Sequence, residues 1–235
     1  KRYMGLELGL SVPIAWGLSL QGAVSLGDYI YTSNPEFTQM IDNSATDVVH
    51  SRVNWKGMKV ESTPQTAINV GLNFRGPNNW FASVDFNYYD RLYLSMNPMY
   101  RTEYLANEIK RIYDWNNLET GRQKAYVVGI IDEIRQQEDL GNAYTLSASI
   151  GKNFRIKYKY TLGFSLQVNN ILNNQRIRTG GYEQMRLNKL SDPIIFPNAD
   201  GEMVITKKPT TYSRFDSKYF YMNGINYYLN IYFRF

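Results

Sequence analysis

Apolar and polar residues alternate in seven stretches of this chain. Between residues 223 and 235, Ile225, Tyr227, Leu229, Ile231, Phe233 and Phe235 fall on one side of an extended backbone. Asn226, Tyr228, Asn230, Tyr232 and Arg234 fall on the other. Period two predicts a strand with two different surroundings. Six earlier strands follow by the same test. Residues 3–12 set Met4, Leu6, Leu8, Leu10 and Val12 against Glu7, Gly9 and Ser11, and residues 16–31 set Trp16, Leu18, Leu20, Val24 and Leu26 against Ser19, Gln21 and Ser25. Residues 66–75 set Ile68, Val70, Leu72 and Phe74 against Asn69. Residues 80–95 set Trp80, Ala82, Val84, Phe86 and Tyr88 against Ser83, Asp85, Asn87, Tyr89 and Arg91. The fifth, 142–150, carries Tyr144, Leu146, Ala148 and Ile150. The sixth sets Tyr158, Tyr160, Leu162, Phe164, Leu166 and Val168 against Lys159, Thr161, Ser165, Gln167 and Asn169.

The connections alternate short and long. Pro13-Ile14-Ala15, Gly76-Pro77-Asn78-Asn79 and residues 152–156 read as tight turns, whereas 32–65, 96–141 and 171–216 are long and polar. Residues 125–140 place Val128, Ile131 and Ile134 at helical spacing, and Asn198-Ala199-Asp200-Gly201 between two apolar triplets predicts a hairpin inside the third long segment. Polarity returns to the apolar faces at Asp28, Asp90, Asn170 and Asn223, which lie 10 to 12 residues from Trp16, Trp80, Tyr158 and Phe235. At ~3.3 Å per residue and a tilt near ~45° that is roughly 23 to 28 Å, the height of a lipid-facing band. Short turns on one side and long loops on the other also suit a membrane barrel. A soluble sandwich is the alternative, but compact β-domains rarely carry three loops this long.

On the barrel reading Leu8, Leu20, Val70, Val84, Phe86, Phe164 and Leu229 face lipid. Asn69, Asp85, Asn87, Tyr89, Arg91, Gln167, Asn169 and Asn230 face the lumen. Seven strands are too few, and odd, for a closed single-chain barrel, so the expectation is a portion of a barrel of about 22 strands. The long segments would be extracellular and Phe235 periplasmic. Trp55, Trp115 and Tyr182, with Tyr104, Tyr113 and Phe196, are candidate anchors for a partner on the outer rim.

Composition removes other classes. No apolar run approaches the ~20 residues of a membrane helix, which leaves barrels open. No signal-peptide pattern precedes the first strand. The absence of cysteine excludes disulfides and thiolate sites, and the formal charge of +5 is scattered rather than gathered into a nucleic-acid-binding arm. His50 is the sole histidine and reads as a solvated loop residue rather than part of a triad with Ser51. Asp200-Gly201-Glu202 lacks calcium-loop spacing, and Thr179-Gly180-Gly181 lacks the Gly-Lys-Ser/Thr of a phosphate loop. No catalytic constellation emerges; neither enzymatic activity nor a cofactor is expected.

Residues 168–184, VNNILNNQRIRTGGYEQ, and 219–235, YFYMNGINYYLNIYFRF, resemble the end of a SusC-like TonB-dependent outer-membrane transporter. Asn97-Pro98-Met99-Tyr100-Arg101-Thr102 and Gln136-Gln137-Glu138-Asp139-Leu140 resemble that family as well. The likeness implies that the whole chain, 1–235, is the C-terminal portion of one barrel domain in a Gram-negative outer membrane, with the plug domain outside it. It implies uptake of an oligosaccharide or peptide, energised by TonB through a missing N-terminal part, beneath a SusD-like surface lipoprotein. In that family the terminal strand, here Tyr227, Leu229, Ile231, Phe233 and Phe235, is also the assembly signal. The rival readings are a barrel retained as a scaffold in an envelope secretion or assembly complex, and a lidless siderophore or cobalamin receptor.

Overall fold

Seven strands form one antiparallel meander: β1 (Arg2–Ala15), β2 (Leu18–Ile30), β3 (Thr66–Arg75), β4 (Trp80–Asp90), β5 (Ala143–Ile156), β6 (Tyr160–Asn169) and β7 (Asn226–Arg234). The computed structural model describes residues 1–41, 44–157, 159–185, 187–190, 194–198, 200–206 and 211–235. Each strand pairs with its neighbours in sequence, and β1 and β7 are open edges. The sheet does not close on itself among the described residues. Tyr158, assigned from sequence to the apolar side of β6, lies outside them.

Register carries the alternation across the sheet. Leu20 opposes Leu72, Leu72 opposes Val84, Val84 opposes Ala148, Ala148 opposes Val168, and Val168 opposes Tyr227. One face is therefore continuously apolar, because a period-two pattern kept in step by short hairpins cannot change sides. Leu72, Val84 and Ile150 have a strand on either side, yet they remain 44, 46 and 46 % exposed, so nothing among the described residues covers this face.

Two turns differ from the sequence expectation. Pro13-Ile14-Ala15 continues β1, where Pro13 opposes Ser19, and the turn is Trp16-Gly17, both at positive φ (49° and 79°). Such a pair supplies the twist that two-residue hairpins need. Residues 152–156 likewise belong to β5, with Ile156 opposing Tyr160. In both places a short, locally ambiguous segment was lengthened by cross-strand pairing.

All three long segments leave from one end of the sheet. The first contains a hairpin, Glu36–Ile41 with Ser44–Arg52. The second carries helices α1 (Glu103–Ile112) and α2 (Gly121–Arg135), each started by a threonine: Thr102 Oγ1 accepts from Leu105 N at 3.1 Å, and Thr120 forms a capping box with Gln123. The third contains the expected hairpin, Ile194–Pro197 with Met203–Thr206, on which Ile195 opposes Ile205. The inward face of α2 is Val127, Ile131 and Ile134; Val128 is exposed, a correction of one residue. With Tyr100, Leu105, Ala106, Ile109 and Tyr113 they form the buried apolar cluster of the molecule, which sits in a loop and not on the sheet.

Gly17 fixes the first hairpin. A Cβ there would stand 1.9 Å from the carbonyl oxygen of Arg75, on a backbone at φ +79°. Gly17→Ala is expected to destabilise the fold by at least about 1 kcal/mol, measured as a lower urea midpoint, whereas Gly9→Ala, which meets open space, should leave it unchanged.

Candidate functional site

The polar face is a lattice of short amide and hydroxyl side chains. Asn69 Nδ2 donates to Asn87 Oδ1 at 2.9 Å and Asn87 Nδ2 to Thr145 Oγ1 at 3.5 Å. Gln167 donates to Asn169 at 2.9 Å, and Asn169 to Asn226 at 3.0 Å. Ser83 Oγ lies 3.1 Å from Asp85 and 2.9 Å from Ser149 Oγ. Tyr89 shares this face opposite Ala67 and Ala143, and Asn230 stands opposite Ser165. Glu7 receives the hydroxyl of Ser25 at 3.3 Å. Seven of the eight polar-side residues expected from sequence thus share one surface. Arg91 is the exception. It follows β4 at φ 55°, and its guanidinium binds Thr66 Oγ1 and the carbonyl of Gln65, both at 2.8 Å. It ties the base of the first long segment instead of standing in the row.

Above the sheet the second and third long segments are sewn together around one carboxylate, and the first is tied to the second beside it. Glu183 is 4 % exposed. It accepts from both terminal nitrogens of the fully buried Arg101, from Asn97 N at 2.7 Å and from Arg214 at 3.2 Å. Arg101 also donates to the carbonyls of Asn97 and Gln136, at 3.2 and 3.0 Å. Next to it, Tyr100 OH and Asn97 Nδ2 both reach Gln184 O, at 2.7 and 2.9 Å. Gln137 and the backbone of Lys59 exchange bonds of 2.8 and 2.7 Å, which joins the first segment to the second. Glu138 accepts from Ser217, Tyr219 and Arg178, and so joins the second to the third.

Asparagines close the neck of the third segment. Asn170, at φ 50° and 3 % exposed, donates to Asn223 O at 2.9 Å and Asn174 O at 3.2 Å. Asn173 Oδ1 accepts from Ile225 N at 3.0 Å. Asn tolerates the left-handed backbone that this clasp requires. Sequence reasoning did not single out Arg101, Glu183 or Asn170 as functional positions. The signal was present in the quoted motifs: 97–102, 136–140 and 179–184 are three parts of one network.

The rim candidates differ in exposure, and Tyr113, expected to be exposed, is buried. Trp55 is half-buried against Tyr31, with ring centres 4.8 Å apart. Trp115 is half-buried on the apolar cluster, with Lys110 and Lys124 over its ring at 5.2 and 5.8 Å. Tyr113 is buried. Each fills space within the rim. Tyr104 and Tyr182 are exposed, 42 and 48 %; the side chain of Phe196 lies outside the described residues. His50 is exposed on its hairpin with Nδ1 3.0 Å from Thr38 Oγ1, while Ser51 Oγ accepts from Tyr104 N. The two do not form a catalytic pair.

No protein-family model, curated protein or solved structure matches this chain.

Glu183→Gln leaves Arg101 as an uncompensated buried charge, so it should cost about 3 to 5 kcal/mol and expose the long segments to limited proteolysis while the sheet keeps its far-UV signal. Burial pushes the Tyr113 phenol up to about 12, with the neighbouring Tyr126 adding a smaller push. The stability this confers is complete below the ordinary tyrosine value of 10.0 and is lost as pH rises through about 12. The rim should loosen in that window, read by near-UV dichroism, and Tyr113→Phe should remove that part of the alkaline transition.

Proposed function

We propose that this chain is a portion of the wall and outer rim of a transmembrane β-barrel in the Gram-negative outer membrane, of the SusC-like TonB-dependent transporter type. The observation that carries the reading is the distribution of burial. The apolar face of the sheet is continuous and uncovered, the opposite face is a polar lattice, and the buried apolar cluster lies in the long segments at one end. In water such a face would aggregate; in hydrocarbon it is the required surface. The open edges of β1 and β7 carry unpaired backbone groups, which lipid cannot satisfy, so further strands of the same barrel are their partners.

The transporter reading draws on the resemblance, and the meeting of its three motif segments in one network supports it. On this reading solute crosses along the polar face, TonB acts through a plug outside these residues, and a SusD-like lipoprotein docks on the extracellular rim. Tyr227, Leu229, Ile231, Phe233 and Phe235 present one row for the assembly machinery. A scaffold role is the second reading, and the closed network binding the three segments is compatible with it, because a rigid rim suits a docking platform as well as a gate.

Val84→Arg should cost about 2 to 4 kcal/mol in bilayers, and Ser83→Arg on the opposite face should cost less, measured by urea titration in liposomes. Spin labels at Val70 and Val84 should be accessible to oxygen, and labels at Asn69 and Asp85 to a water-soluble relaxer; the reverse pattern would sink the register. Excising the tip of the 96–141 segment should release a co-purifying surface lipoprotein and impair growth on the transported nutrient. Unchanged uptake, with no lipoprotein recovered from intact membrane, would favour the scaffold.

A further inference from the structure

Aspartate and glutamate side chains are absent from one end of the sheet. No Asp or Glu occurs between Glu7 and Asp28, between Glu61 and Asp85, between Asp139 and Glu183, or after Asp216. Those intervals contain all three short turns and the end of β7. The same end carries Arg75, Lys152, Arg155, Lys157, Lys159 and Arg234, more cations than the formal excess of +5 for the whole chain. The long-segment end is close to balanced by comparison. Arg75, Arg155 and Arg234 occupy polar-face positions at the ends of β3, β5 and β7, whereas Lys157 and Lys159 belong to the β5–β6 turn.

Lys152 is different. It opposes Trp80 on one side and Phe164 on the other, so it stands on the apolar face. Its ammonium lies 4.7 Å from the ring centre of Trp80 and 4.9 Å from that of Phe154, and Phe164 packs on both rings at 6.1 and 6.2 Å. Ring faces offset part of the cost of a desolvated cation but do not neutralise it. No carboxylate among the described residues pairs with it, whereas the charges at the opposite end of this face are paired, Asp28 with both Arg2 and Lys59.

We propose that Lys152 binds the phosphate of an anionic glycerophospholipid in the periplasmic leaflet, with an acyl chain lying over Phe164 and the exposed Ile150, while Lys157 and Lys159, farther along on the β5–β6 turn, add to the positive field. The inference rests on the membrane reading above. An ammonium on a lipid-facing surface needs an anion at the headgroup level, and a long side chain reaches that level from an apolar face. Trp80 and the adjoining rings are the residue types that settle at that interface. A single-sign patch draws anionic lipid, and a neutral headgroup gains little from it.

The test uses the intact protein in phosphatidylcholine nanodiscs doped with spin-labelled phosphatidylglycerol or spin-labelled phosphatidylcholine, and compares the immobilised fraction of each by electron spin resonance. Phosphatidylglycerol should be preferred, and the preference should fall by roughly fivefold for each lysine lost, through Lys152→Met to Lys152→Met/Lys157→Ser/Lys159→Ser. Lys152→Arg should retain it. Far-UV dichroism checks that every variant is folded. Equal immobilisation of both lipids by the parent, or a preference that survives the triple substitution, overturns the site and leaves the membrane reading standing. Immobilisation of neither lipid overturns the membrane reading, and the site with it.

Discussion

A carboxylate taken out of water has to be surrounded by donors, and Glu183 is surrounded by donors from two other parts of the chain. Arg101 and Asn97 come from the second long segment, and Arg214 from the far side of its own. Desolvating such a group is costly, and the cost is recovered only when every partner is in place. The interaction is therefore close to all-or-none. It holds the segment that precedes α1, the residues that follow α2, and residues 183 and 214 of the third segment in one arrangement. The buried faces of α1 and α2, the clasp of Gln137 on Lys59 and the bonds of Glu138 are built around that arrangement.

The rim is thus the most protein-like part of the molecule, with an apolar cluster and a buried, hydrogen-bonded carboxylate. The sheet beneath it is organised the other way. Its apolar side chains point away from the chain, and its polar side chains bond to one another across strands. Leu72 on β3 and Val84 on β4 oppose each other in register but have no layer above them. Sandwich sheets bury that face against a second sheet, and the described residues provide none. That uncovered face is the surface that the proposed lipid setting would cover.

The short-turn end adds a second asymmetry. Charges near the long segments come mostly in opposite-sign groups, whereas the charged side chains at the hairpin ends are all cations. Trp80, Lys152, Phe154 and Phe164 form a cluster that is apolar, aromatic and cationic together. Such a combination has no use inside a protein core, and it matches the composition of a bilayer interface.

The strands and the division of their residues between two faces were legible in the sequence, because a period of two survives any register that pairs neighbours in order. Leu20, Val70, Val84 and Leu229 could be assigned to one side without knowing a single contact. Turn positions were less legible. Pro13 and residues 152–156 look like local breaks, and only pairing with β2 and β6 keeps them extended. The helix of the second segment could be read, but its buried face was displaced by one residue, since Val127 and Val128 are chemically the same and packing alone chooses between them. The pairing of Arg101 with Glu183 had no local signature. The two are 82 residues apart, no periodicity links them, and an arginine or a glutamate in a polar loop is ordinarily solvated. Only the tertiary structure, by drawing three loops onto one end of the sheet and excluding water between them, turned those residues into a buried pair.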